Sequence, residues 1–115
     1  MHIDSYSFGN IRINGRDYAR DVILLGNDVI GPWWREAGGH IYAVQDFAEL
    51  LAAAPDVVVL GTGYFGRVTV LDETLVAFAD VGTEVVVERT RAAVEAFNRI
   101  VSEGREVAAA LHLTC

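Results

Sequence analysis

Asp56-Val57-Val58-Val59-Leu60-Gly61-Thr62-Gly63-Tyr64-Phe65-Gly66 joins an unbroken apolar run to a loop holding three glycines. An apolar run of this length, rich in β-branched residues and without polar alternation, reads as a strand covered on both faces. Glycine takes positive φ freely and lets other groups approach the backbone, so the loop reads as a tight turn built for close contact. Ligands of open α/β sheets lie beyond the carboxyl ends of strands. The turn is therefore the first candidate for a site.

Helical and strand patterns alternate on either side of it. Upstream, Phe47, Leu50, Leu51 and Ala54 recur at helical spacing, and Pro55 stops the run. Downstream, Val68 and Val70 mark a short strand. Asp72 is placed to cap a helix carrying Leu75, Val76, Phe78 and Ala79, which Gly82 ends. Glu84 to Glu88 reads as a strand. Thr90 caps a third helix with Val94, Phe97, Ile100 and Val101 on one face and Gly104 past its end. Val107 to Leu113 reads as a final, nearly all-apolar strand. Strands alternating with helices imply a mainly parallel sheet with right-handed crossovers.

The first 43 residues differ in kind. Ile3, Tyr6 and Phe8, then Ile11 and Ile13, alternate with polar neighbours, and Gly9-Asn10 and Asn14-Gly15 interrupt them. Asn-Gly between alternating segments is a strong hairpin signal, because both residues accept positive φ. With Tyr18 to Leu24 as another strand, an antiparallel meander extends to about Ile30. The expectation is one α/β domain over residues 1–115, with a mixed, mainly parallel sheet, an N-terminal antiparallel meander and about three helices.

Composition narrows the function classes. The 115 residues are 52% hydrophobic, with a mean hydropathy of +0.29, which favours a packed core over disorder. Net charge is −7, and all nine basic residues are arginine. An acidic chain without a basic stripe is a poor binder of nucleic acid and of anionic membrane surfaces. Without lysine, neither Schiff-base nor P-loop chemistry is open to it. One cysteine, Cys115, makes no internal disulfide, in keeping with a reducing compartment. No apolar run is long enough to span a bilayer. Met1-His2-Ile3-Asp4 shows neither a secretion signal nor a transit peptide, so the expected location is cytoplasmic.

Two clusters stand out as candidate sites. Gly61, Thr62, Gly63 and Gly66 fit G-x-G-x-x-G, and Glu88 stands where a ribose-binding acid would. A dinucleotide site also needs a helix opening at the last glycine. Here Arg67 to Leu71 looks extended, and the chain is short for two mononucleotide halves. That leaves a structural turn, or an amide-rich cradle for a small anion aided by Thr62 and Arg67. The second cluster, Gly31 to His40, holds Trp33, Trp34, Arg35 and His40 in a glycine-bounded loop. Tryptophan and arginine are enriched at binding hot spots. The bland reading is a Trp plugging the core edge and an Arg35 paired with a local acid.

Other residues carry less. His112, within an apolar strand, reads as a satisfied core histidine. The three histidines and single cysteine show no metal-ligand spacing. Cys115 would need an adjacent base to act as a nucleophile. Asp4, Asp17, Asp21 and Asp28 read as the solvated face of the meander. No catalytic residue, metal or cofactor is assigned.

Several segments together resemble one family. They are Ile3-Asp4-Ser5-Tyr6-Ser7-Phe8-Gly9, Asp21-Val22-Ile23-Leu24, Trp33-Trp34-Arg35 with Gly39-His40, Gly61-Thr62-Gly63 with Gly66, and Val107-Ala108-Ala109-Ala110-Leu111-His112-Leu113-Thr114-Cys115. In this order they resemble the small Mth-type domain family of unknown function, over essentially the whole chain. That family includes the adipogenesis-associated Mth-domain protein of animals and a mitochondrial assembly factor for respiratory complex I. The resemblance implies a three-layer α/β fold with a mixed sheet. It supplies no catalytic residues, and its one well-described role is assembly of a respiratory complex.

The leading functional expectation is a non-enzymatic binding or assembly module. Trp33, Trp34 and Arg35 would anchor a protein partner, beside the Gly61–Gly66 surface. The alternative is a small-anion binder or enzyme. It would hold its ligand on the amides of Gly63 to Gly66, with Arg67 or Arg35 neutralising charge and His40 as acid–base group. Both readings bring the glycine turn and the tryptophan loop to a shared rim. A third reading is a homo-oligomer formed through the apolar faces.

Overall fold

Every residue of the strand Val57–Thr62 is buried, as a run without polar alternation requires. The structure, a computed structural model, describes residues 1–36 and 38–115. Its elements in chain order are β1 (Ile3–Ser7), β2 (Asn10–Ile13), β3 (Arg16–Tyr18), β4 (Val22–Leu25), β5 (Asp28–Ile30), β6 (Ile41–Tyr42), a 3-10 turn (Val44–Phe47) and α1 (Ala48–Ala53). There follow β7 (Val57–Thr62), β8 (Thr69–Val70), α2 (Asp72–Asp80), β9 (Glu84–Glu88), α3 (Thr90–Ser102) and β10 (Val107–His112).

The main sheet runs β5-β4-β10-β7-β9. Strand β10 is parallel to β7, with Val107 opposite Val57 and His112 opposite Thr62, and β7 is parallel to β9. Strand β4 pairs antiparallel with β10 and with β5. The sheet is therefore mixed and mainly parallel over its central and β9 side.

Side chains alternate across β7, so one strand feeds two cores. Val57 and Val59 pack with Phe97 and Ile100 of α3 and with Ile3, Ile11 and Ile13 of the N-terminal strands. Val58 and Leu60 pack on the other face with Trp33, Tyr42, Phe47, Leu50 and Phe78. The result is a three-layer α/β domain. Asn98 ties α3 to β1: its Nδ2 donates to Ile3 O at 2.8 Å, and its Oδ1 accepts from Ile3 N at 3.0 Å.

The N-terminal meander divides in two. Strands β1 to β3 form a separate antiparallel sheet, while β4 and β5 join the main sheet. The expected strand from Tyr18 to Leu24 breaks at residues 19–21, which cross from one sheet to the other. Asp21 fixes the crossing. Its backbone O accepts from Trp33 N at 2.8 Å, and its Oδ1 accepts from Leu113 N at 2.9 Å. Asp72 and Thr90, expected as caps, are instead the first residues of α2 and α3, a shift of one residue. Ala54 closes α1 in the left-handed region (φ +46), immediately before Pro55. Among the described residues no helix is long and apolar enough to cross a membrane.

Candidate functional site

The two tryptophans, adjacent in the loop between β5 and β6, face opposite ways. Trp33 is 8% exposed and packs against the rings of Tyr42 and Phe47, with centroids 5.5 and 5.4 Å away. Trp34 is 73% exposed. One indole belongs to the core and the other to the surface.

Arg35 turns inward again, where burial demands a counter-charge. One terminal nitrogen donates to Asp21 Oδ2 at 2.6 Å, and the other to Gly39 O at 2.6 Å. The guanidinium carbon lies 5.1 Å from the Trp33 ring centre and 5.3 Å from that of Tyr42. Its Nε–H is buried with no hydrogen-bond acceptor among the described residues.

Asp21 holds His112 as well. Its carboxylate only accepts, so at 2.7 Å the His112 Nδ1 must carry the proton and donate it. The Arg35–His112 approach of 3.4 Å is then a meeting of two donors on one carboxylate, not a third bond. His112 Nε2 faces Cys115 O at 3.0 Å, and His40 Nε2 faces the same oxygen at 2.6 Å. The two imidazoles meet edge to face, with centroids 6.0 Å apart.

Burial pushes the Asp21 carboxyl up. The hydrogen bonds from His112, Arg35 and the Leu113 amide outweigh this and hold it below the usual carboxylate range. Tyr42, fully buried and donating to Gly61 O at 2.6 Å, is pushed strongly up by desolvation.

Above this network opens a cleft of about 480 Å³, with Trp34, Arg20, Gly38, Gly39 and Thr114 around Asp21 and His112. Its size falls within the range of small-ligand sites.

The glycine turn also packs against the segment 112–115, outside the residues that line the cleft. Gly63 N donates to Thr90 Oγ1 at 2.9 Å, and Thr90 Oγ1 donates to His112 O at 2.6 Å. Tyr64 N donates to Thr114 O at 2.9 Å, and Gly66 N to Gly63 O at 3.2 Å. These three amides are satisfied inside the fold. Thr62 Oγ1 donates to Glu88 O at 3.1 Å, and Arg67 lies over the Phe65 ring at 5.6 Å. Close approach explains the glycines: a Cβ on Gly61 would stand 2.8 Å from the Leu111 side chain.

The structure thus brings Trp34 and Arg35 to the cleft, while His40 contacts Cys115 O and does not line the cleft. Gly61, Thr62, Gly63, Gly66 and Arg67 are not among the residues that line it. Trp33 is a core residue. Asp21, read from sequence as part of a solvated face, is instead the centre of the network. The signal for it was its position directly before the apolar Val22-Ile23-Leu24 run. His112 is buried as expected, but its Nδ1–H is taken by a carboxylate, with the Cys115 carbonyl beside Nε2. Among the described residues no three His, Cys, Asp or Glu side chains are grouped to hold a metal ion.

Thr90 offers a direct check of the turn. Thr90→Val keeps the shape, but leaves Gly63 N–H and His112 C=O buried without that hydroxyl. The expected loss is about 2–3 kcal/mol in chemical denaturation. A loss within experimental error would mean that both backbone groups find other partners.

A mixed sheet of this order, with a polar network at the carboxyl end of its central strands, defines a small α/β domain of one recognisable kind. The chain belongs to the family described as protein of unknown function (DUF498/DUF598), whose model matches residues 3–112. Solved structures agree. MT938 is 25% identical, with a TM-score of 0.84 over 99% of this chain and 98% of that one. A conserved hypothetical protein from Pyrococcus horikoshii OT3 is 22% identical, with a TM-score of 0.86 over 100% of both chains. A Bordetella pertussis protein described as a Mth938-like domain is 23% identical, with a TM-score of 0.73 over 97% of this chain and 85% of that one. The resemblance to the Mth-type family holds. No curated protein matches.

Proposed function

We propose that the domain is a binding module that seats an apolar side chain of a protein partner against Trp34. The observation that carries this is a 73%-exposed indole at the mouth of a cleft. The walls of that cleft are fixed from within by the Asp21–Arg35–His112 network. Arg20, also exposed, supplies the cation at the rim. A rigid aromatic anchor beside an arginine adds contact area at low entropic cost. No catalytic residue is assigned. The satisfied amides of Gly63, Tyr64 and Gly66 argue against an anion cradle in the glycine turn. The assembly role described for one member of the resembling family favours a protein over a metabolite as occupant.

Trp34→Ala decides it. The variant is expected to melt within about 3 °C of the parent, as surface substitutions do, and to lose the partners that the parent captures from a cell lysate. Trp33→Ala, which empties part of the core, serves as the destabilised control. If parent and Trp34→Ala retain the same proteins in the same amounts, the cleft is not the binding surface.

A further inference from the structure

Phe8, Tyr64 and Phe65 form an exposed aromatic surface that the cleft does not use. Phe8 stands in the turn between β1 and β2, and the other two in the glycine turn after β7. The chain separation is large, yet the rings pack. Phe8 meets Tyr64 edge-on with centroids 5.6 Å apart, Phe8 and Phe65 are 6.4 Å apart, and Tyr64 and Phe65 5.0 Å. Phe8 is 51% exposed and Phe65 50%. Gly63 (φ +102) and Gly66 (φ +70) bracket Tyr64 and Phe65 in left-handed backbone, and so turn them outward.

Three exposed arginines border these rings. Arg67 lies over Phe65, Arg91 lies 5.9 Å from the Tyr64 ring centre, and Arg89 lies along Gly66. Among the described residues none of the three forms an ion pair with a carboxylate, whereas Arg12, Arg35 and Arg105 each do. On a chain of net charge −7, these three arginines give the aromatic patch a cationic border. An exposed apolar patch with such a border marks an interaction surface, and its charge selects the partner.

We propose that this patch docks an acidic segment of a partner protein that carries aliphatic or aromatic residues between its carboxylates. The apolar side chains lie on Phe8 and Phe65, and the carboxylates meet Arg67, Arg89 and Arg91. A polyanion of nucleic-acid length would also meet the acidic remainder of the surface, which opposes it. The G-x-G-x-x-G spacing is thereby a device for presenting two aromatic rings.

The test is fluorescence anisotropy with a labelled short peptide of alternating glutamate and leucine residues. The same peptide with glutamine for glutamate, an oligothymidylate and phosphatidylglycerol vesicles serve as controls. The expected result is binding of the glutamate peptide that weakens with added salt. Affinity falls about tenfold or more in Arg67→Glu/Arg91→Glu and in Phe65→Ser. It is unchanged in Trp34→Ala, which separates this surface from the cleft. Far-ultraviolet circular dichroism verifies folding, and the milder Arg67→Gln replaces the double variant if that fails to fold. The proposal is overturned if the glutamate peptide does not bind, if the glutamine peptide binds as well, or if affinity survives the Arg67 and Phe65 substitutions. Preferential binding to vesicles or oligothymidylate overturns it too.

Discussion

Asp21→Ala is expected to remove about 3–5 kcal/mol of folding stability, because it strands a buried charge. The Arg35 side chain is 6% exposed, and Asp21 is its one ion-pair partner among the described residues. Without the carboxylate, the guanidinium keeps only the Gly39 carbonyl, and the Leu113 amide loses its acceptor. Since domains of this kind are stable by about 5–15 kcal/mol in total, a fifth or more of the margin goes with one side chain. Asp21→Asn should fall between parent and alanine, since its amide oxygen still accepts from Leu113 but bears no charge. Urea denaturation of the three proteins gives the comparison. A loss under about 1 kcal/mol in Asp21→Ala would show that water already reaches the pair.

The same residue sets an acid limit. Its carboxyl titrates below the unfolded-state value of 3.8, so the folded protein binds fewer protons there than the unfolded chain. That contribution is fully present above the unfolded pKa, and is lost as pH falls below it and through the folded pKa. Parent stability should therefore drop over this acid range more steeply than that of Asp21→Asn, and the two curves should converge at the lowest pH. Parallel curves would remove Asp21 from the acid response.

Gly63→Ala is the second large effect, about 2–6 kcal/mol. The backbone there has φ +102, outside what an alanine adopts without strain, at roughly 1–3 kcal/mol. The added Cβ would also stand 2.8 Å from Thr114 O and 2.9 Å from His112 Cδ2. Neither atom is the end of a flexible side chain, so relief requires the segment 112–115 to move, at about 1–3 kcal/mol more. Movement would break the contacts of both His40 and His112 with Cys115 O. Their imidazole NMR signals should shift together. At Gly66 (φ +70) the obstacle is the Arg89 side chain, which can swing away, so Gly66→Ala should cost only its backbone strain. Equal losses at the two positions would contradict this account.

Local pattern carried most of the fold and little of the site. The Val57 run, the apolar face of α3 and the Val107–Leu113 run each announced their element, because burial leaves its mark within one segment, as a helical period in α3 and as an unbroken apolar run in strands covered on both faces. Strand pairing has no such signature. Nothing in Val22-Ile23-Leu24 tells that it leaves the meander to lie against β10. Asp21 shows why the site was hidden: its partners Arg35 and His112 lie 14 and 91 positions away, and before they are placed a buried acid looks like a solvated one. Trp33 and Trp34 are chemically identical, and only the course of the backbone between β5 and β6 sorts core from surface. In the glycine turn, spacing marked the left-handed positions, while the destination of each amide depended on Thr90 and Thr114.

Strand β10 follows all the others in sequence yet lies at the middle of the main sheet. During synthesis, β4 and β7 wait with bare ladder edges until residues 107–112 clear the ribosome. A nascent chain in that condition exposes valine-rich backbone to any strand that offers itself. The sheet therefore closes late, when this keystone pairs with β4 and β7 at once.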